Sequence, residues 1–343
     1  MKKQFIIIMA SVLTLVVSGQ VMAETQYTIT NLGNFTVKGI NDSGQAVGTS
    51  WENGMPQGII WQNGSVTHLG NLQDHGQVYA NTINNIGDVA GHAWTVSGDN
   101  ADAFLWKNGH FTILGTLGGT QTAAYGINDS GKIVGHSLLG DGYSGHAFLW
   151  DSGKMTDLGM GEALSINNKS QITGYNGNTH AVLWQNDMSI IDLGTLGGKA
   201  SWGKAINETG QIVGESYITG DSAIHAFLWQ DETMEDIGIL PGYIHSVALG
   251  INDIGQVVGK SEISIAGQLY SEAFLWQDGK MTDLGMGTAL AINNNGWIVG
   301  QIYEQAVLWK PIPEPATLLL LGFGAVMLRK KHKKSLRSPR ARR

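Results

Sequence analysis

The chain has 343 residues, 48 of them glycine, none cysteine and only 14% charged, so disulfide frameworks, thiolate nucleophiles and Cys-type zinc sites are excluded. The formal charge of −7 hides a segregation. Eleven of the 21 Lys/Arg residues lie at 2–3 and 329–343, which leaves residues 24–312 with ten basic against 27 acidic side chains, about −17. So acidic a body argues against nucleic acid, whose binding rests on neutralising phosphates. It is compatible with neutral sugars, with cations or with simple solubility.

Residues 1–23 run from Lys2-Lys3 through an apolar stretch, Phe5 to Val17, to a small-residue exit at Ala23. This is the pattern of a secretory signal peptide cleaved after Ala23. The alternative, an N-terminal membrane anchor, fits less well because the run is short and stops at Ser18-Gly19-Gln20. A single strand-like phrase, YTITNLG at 27–33, follows.

Beyond it the chain repeats itself. The pair Ile-Asn recurs with Asn at 41, 84, 128, 167, 207, 252 and 293, at spacings of 39 to 45 residues. Each unit carries four phrases: an apolar run into Ile-Asn, a run such as GKIVG (131–135), a run such as AFLW (103–106), and a run ending in Leu-Gly or Ile-Gly. All are short and rich in β-branched or aromatic residues, which predicts four strands per unit. NDSG, NETG and NDIG suit tight turns between the first and second strands. Asn-Gly in WQNGS and WKNGH is a hairpin signal between the third and fourth. AFLW is apolar at both alternating positions, so its sheet is expected to be covered on both sides.

Seven such units predict an all-β fold, a seven-bladed β-propeller of four-stranded antiparallel blades over residues 24–312. A β-solenoid is the rival. The last unit ends at AVLWK (306–310) without a Leu-Gly strand, and YTITNLG is an orphan Leu-Gly strand. The N-terminal strand is therefore expected to complete the seventh blade and close the ring, which removes exposed edges. Asn and Asp of the Ile-Asn phrase are read as turn formers. The Trp of the third strand (61, 106, 150, 184, 229, 276 and 309) is read as blade-packing core.

The units resemble the extracellular HAF repeat family. HAFLW stands at 146–150 and 225–229, and LGTLGG at 114–119 and 193–198 leads into GINDSGKIVG and AINETGQIVG. LGMGEALSINN (158–168) and LGMGTALAINN (284–294) depart from the pattern, with short connections that lack the second Leu-Gly-Gly. The resemblance implies an extracellular location and a shape, and brings no established enzymatic activity.

One face of the expected ring is formed by tight turns, the other by variable connections, where binding usually resides. Candidate ligand-binding residues on that face are Asp74, His75, Tyr79, Tyr125, Trp202, Tyr243 and His245. Aromatic rings beside carboxylates and imidazoles suit sugars; the plainer reading is packing between blades. Asp74-His75 invites an acid/base role, or is a solvated loop pair. Gly-Asp at Asp99, Asp141 and Asp221 could offer oxygens to calcium, but shows no ligand ladder and is ordinary turn chemistry. His146, His180 and His225 occupy equivalent strand starts and so cannot gather on one metal. No metal, cofactor or catalytic residue is expected.

The C-terminus has Pro313-Glu314-Pro315, then a mostly apolar run from Ala316 to Leu328, then nine Lys/Arg in 329–343. The run is marginal for spanning a bilayer, and the positive charge after it would hold that end in the cytoplasm. The order of motif, short helix and basic tail resembles the PEP-CTERM sorting signal of Gram-negative bacteria. That resemblance implies transient membrane insertion over 313–343, processing by an exosortase-type protease, and an association with exopolysaccharide or biofilm matrix at the surface or outside the cell. A plain tail anchor is the alternative. The expected function is a non-enzymatic binding or structural module for extracellular polysaccharide. Its rivals are a propeller glycan lyase or hydrolase, and a ring that merely spaces surface material.

Overall fold

The computed structural model describes residues 27–312 apart from Asn178. The expected signal peptide at 1–23, the motif Pro313, Glu314 and Pro315, and the apolar helix after it lie outside the described residues. Every described element is strand or turn, and no described helix is long and apolar enough to cross a membrane.

Each of the first six repeats forms four antiparallel strands, and the last supplies three. In the third repeat, Gly118–Ile127 pairs with Ile133–Leu139, that strand with Gly145–Asp151, and that in turn with Lys154–Ile166. The turn chemistry works as expected. Asn128 Oδ1 accepts from Lys132 N at 3.0 Å, and Gly131, at φ +83°, donates its N–H to Asn128 O. Asn63-Gly64 and Asn108-Gly109 both take positive φ, the two-residue hairpin geometry that matches strand twist.

Where the second Leu-Gly-Gly is missing, the connection shrinks to Gly287 alone, between Lys280–Met286 and Thr288–Ile292, or to nothing. Lys154–Ile166 is one continuous strand. Its first part pairs with Gly145–Asp151 and its second, from Gly161, with Ile172–Asn176 of the next repeat. Tyr27–Gly33 lies beside Gln305–Pro311, so the orphan N-terminal strand is the fourth strand of the last repeat's sheet.

The AFLW strand has two buried faces for the reason its pattern suggested. Phe148 and Trp150 enter one core cluster with Ala90, Ala103 and Ile127, while Ala147 and Leu149 enter another with Ile166, Val182 and Trp184. Successive side chains point to opposite faces of a strand, so every such strand joins two interfaces between sheets. Six of the seven tryptophans are at most 9% exposed; Trp106 is half-buried, and its indole N–H donates to Leu69 O at 2.9 Å. Burying side chains of this size stabilises by roughly 1.5–3 kcal/mol each.

A bulge recurs on every first strand. Ala124 pairs with Gly135 and Gly126 with Val134, which leaves Tyr125 as the extra residue. The same slip leaves Lys38, Asn81, Leu164, Lys204, Leu249 and Leu290 unpaired in the other repeats. The bulge explains the glycine of the Val-Gly phrase. A Cβ on Gly135 would stand 2.0 Å from Ala123 O, and one on Gly259 1.9 Å from Val247 O.

Candidate functional site

Two cavities are lined by residues from all seven repeats, and both are bordered by the same isoleucines: 40, 83, 127, 166, 206, 251 and 292. At one end, of about 200 Å³, lie the asparagines of the Ile-Asn phrase. They do more than form turns. Each Nδ2 donates to the main-chain carbonyl of the next repeat's asparagine, from Asn41 to Asn84 and on through 128, 167, 207 and 252 to 293, at 3.0–3.1 Å. Asn293 donates at 2.9 Å to Asn41 O, where the series began. All seven are only 3–4% exposed.

A second series runs beside it. The main-chain N–H of each following residue donates to the side chain of its counterpart in the next repeat, from Asp42 to Asn85 at 3.0 Å and finally from Asn294 to Asp42 at 2.8 Å. Asp42, Asp129, Glu208 and Asp253 are thus committed to joining repeats. Among the described residues, no group of three or more His, Asp or Glu is arranged to hold a metal ion.

The other end, of about 260 Å³, is lined by the bulge residues: Lys38, Asn81, Tyr125, Leu164, Lys204, Leu249 and Leu290. Bulges re-aim side chains, and here seven different ones reach a shared space. Around them stands a set of coupled polar groups. Asn81 Nδ2 lies 3.1 Å from His92 Nδ1 and donates to Ala124 O at 2.9 Å. Burial, with the Lys38 charge adding to it, lowers the His92 pKa from 6.5 to about 4, so the imidazole is neutral. Tyr79 stacks on it, with ring centroids 4.9 Å apart and planes within 7°. Burial and then the Glu162 charge push the Tyr125 phenol up to about 12. The same two causes, in the same order, raise Tyr175. Lys204 pairs with Glu215 at 2.9 Å.

The structure sorts the residues singled out from the sequence. Tyr125 lines the cavity, and Tyr79 supports it through His92. Trp202 lies opposite Glu215 in register and 6.0 Å from Tyr217. Tyr243 packs against a core cluster, and His245 Nδ1 accepts from Ile224 N at 3.1 Å. Asp74 and His75 form no dyad. Asp74 sits exposed in a turn at φ +63°, whereas His75 Nε2 contacts Asp102 at 2.9 Å and Nδ1 contacts Gln73 O at 2.7 Å. The Asp102 contact ties the first strand to the third across Val89–Thr95, since Asp102 lies on the strand Ala101–Lys107 of the same sheet.

The Gly-Asp aspartates that have hydrogen bonds act locally. Asp141 accepts from Ser144 and Tyr143, bonds that hold its carboxyl at about 2, and Asp221 accepts from Lys199 N at 2.9 Å. His146, His180 and His225 each pair with an aspartate of their own sheet, Asp157, Asp192 and Asp236.

Lys38, Asn81, His92, Glu162, Tyr175, Lys204 and Glu215 were missed. A signal for three of them was present: the residue three before each repeat asparagine changes class from repeat to repeat, as Lys, Asn, Tyr, Leu, Lys, Leu and Leu.

Residues 311–331 match the PEP-CTERM protein-sorting motif. That signal marks a protein for export in Gram-negative bacteria, to the surface or the exterior, and implies processing by an exosortase. No curated protein matches the chain in sequence. Among solved structures, a streptogramin B lyase is similar at TM-score 0.54 and 10% identity, over 83% of this chain and 98% of that one. The acylaminoacyl peptidase of Pyrococcus horikoshii is similar at TM-score 0.50 and 11% identity, over 72% of this chain but 44% of its own. The β-propeller domain of the Trilobed protease from Pyrococcus furiosus overlaps at TM-score 0.37 and 12% identity, over 74% of this chain and 96% of that domain. Four-stranded sheets gathered around shared cavities make the fold propeller-like; at such identities the likeness to solved structures concerns fold alone.

Proposed function

We propose that the exported chain is a seven-bladed propeller, fastened by its N-terminal strand, that binds extracellular polysaccharide at the cavity end lined by the bulge residues. Closure is supported by the asparagine series that returns to Asn41 and by Leu32 and Phe35 sharing a core with Val299, Ala306 and Leu308. The resemblance to HAF repeats, a signal peptide over 1–23 and the sorting segment from 313 accord with a matrix location. The observation that carries the binding reading is the bulge position. The fold aims that side chain into a common space in every repeat, and its chemistry is not the same throughout: Lys twice, Asn, Tyr and three Leu. Tyr125 supplies an aromatic ring, and Asn81, Lys38 and Lys204 supply polar groups, a mixture suited to sugars.

The test is a titration of the full-length protein with the bacterium's own exopolysaccharide, beside Lys38→Ala and Tyr125→Ala. Affinity should fall about tenfold or more in each, while the thermal midpoint holds in Lys38→Ala and drops in Tyr125→Ala, whose ring is partly buried. Saturable binding that neither change weakens would move the site elsewhere, and no binding by the unaltered protein would sink the reading.

A second reading, catalysis at the same place by glycan lysis or hydrolysis, is favoured by one feature: neutral His92 beside Asn81 and close to Lys38. An acidic imidazole pKa leaves a base, and a nearby ammonium would steady a sugar carboxylate. It predicts new reducing ends or an unsaturated product's ultraviolet absorbance, both lost in His92→Gln. Neither signal from acidic polysaccharides would dismiss it.

A further inference from the structure

A third cavity, of about 430 Å³, is larger than either of the two on which all the repeats converge. It is lined by Asn34, Phe35, Thr36, Trp51, Gln301, Tyr303 and Glu304, and shares no lining residue with the bulge-lined cavity. It lies where the first repeat meets the last. Its floor is fixed: Phe35 is buried, and Gln301 bridges the seam, with Nε2 donating to Phe35 O at 3.0 Å and Oε1 accepting from Val37 N at 3.3 Å.

The walls are different. Trp51 is 52% exposed and Tyr303 79% exposed, large rings left in water beside a cavity. Asn34 and Glu304 are exposed on its rim, and no side-chain hydrogen bond of either occurs among the described residues. Tyr303 is also conformationally costly. It holds φ +52° at a hairpin turn, where the matching turns of other repeats carry Asn53-Gly54 and Ala266-Gly267. A bulky residue in that region is strained, and such outliers concentrate at functional sites.

We propose that this cleft is a second carbohydrate subsite, which takes one pyranose ring of a glycan chain between Trp51 and Tyr303. The C–H faces of the sugar would lie on the two aromatic rings, and its hydroxyls would meet Asn34 and Glu304. The volume suits a ligand of that size, and rigid Trp and Tyr supply contact area at little entropic cost. The proposal rests on the reading of the protein as a polysaccharide binder, but uses a separate wall.

The test measures binding of oligosaccharides, fragments of the bacterium's own exopolysaccharide beside cellohexaose, laminarihexaose and chitohexaose, to the full-length protein. Trp51→Ala and Tyr303→Asn are compared with Lys38→Ala. Trp51→Ala should weaken binding about tenfold or more. Tyr303→Asn should weaken it similarly while raising the thermal midpoint, because Asn tolerates positive φ. Oligosaccharide binding that survives both cleft changes but is lost in Lys38→Ala overturns the cleft and leaves the bulge-lined site standing. Loss in the cleft variants alone supports the cleft and removes the bulge-lined site. Absence of all binding removes both. Saturable quenching of tryptophan fluorescence by choline, absent in Trp51→Ala and with no response to any oligosaccharide, would make the cleft an aromatic cage for cations and overturn the proposal.

Discussion

The two cavities on which all the repeats converge share one belt of isoleucines yet are built on opposite rules. On one side the same asparagine occurs seven times, buried and bonded from repeat to repeat. On the other, one backbone bulge occurs seven times and carries four residue types. The identical side chains are joined to one another, so their chemistry is exhausted by holding sheets together. The varied side chains are aimed by the fold but not required by it. In a repeat protein, then, sameness at a lining position points to assembly and difference points to recognition.

That contrast can be broken by substitution. Asn207 donates to Asn252 O and Gln211 Oε1, and its own Oδ1 accepts from Gln211 N, Thr209 N and Thr209 Oγ1. Removing it leaves buried partners unsatisfied, so Asn207→Ala should lower unfolding stability by about 3–5 kcal/mol in urea titration. A loss no larger than that of Lys38→Ala would end the distinction.

Acid should act on the varied end. The folded pKa of His92, about 4, lies below its unfolded value of 6.5, so the unfolded chain takes up the proton first. Stability should therefore fall as pH drops from 6.5 towards 4 and level off below, by roughly 3 kcal/mol in all. His92→Gln should flatten that part of the curve in a pH series of thermal or urea unfolding.

The seam between first and last repeats offers a smaller test. Leu32, 7% exposed, packs with Val299 and Leu308, so Leu32→Ala should cost about 2 kcal/mol if the N-terminal strand completes the last sheet. An unchanged urea midpoint would detach that strand from the fold. Smallest of all is Lys38→Ala. With an exposed side chain and no ion pair or hydrogen bond among the described residues, it should shift stability by less than about 0.5 kcal/mol while weakening glycan binding.

Much of the architecture was legible because strands, turns and repeats are local patterns. Val-Gly, Ala-Phe-Leu-Trp and Asn-Asp-Ser-Gly each announce a strand or turn, and their order fixes which strands pair. The orphan YTITNLG and the missing last strand pointed to each other by subtraction. The site was less legible. Tyr125 was reached, but as one aromatic among many, and Asp74 was joined to His75 only because they adjoin in sequence. His75 instead meets Asp102, 27 residues on, because both strands pair with Val89–Thr95 between them.

By itself the sequence determined an exported all-β chain of short repeated strands, because periodic patterning and sorting signals are read along the chain. Tertiary structure decided which of the varied residues meet. The bulge is a property of register between two strands, set by the close approach of Gly135 to Ala123 O and its equivalents. Only that slip turns Lys38, Asn81, Tyr125 and Lys204, residues 38 to 204 along the chain, towards one space. The cleft between Trp51 and Tyr303 needed still more: the two ends of the repeat array had to meet before either ring had anything to face.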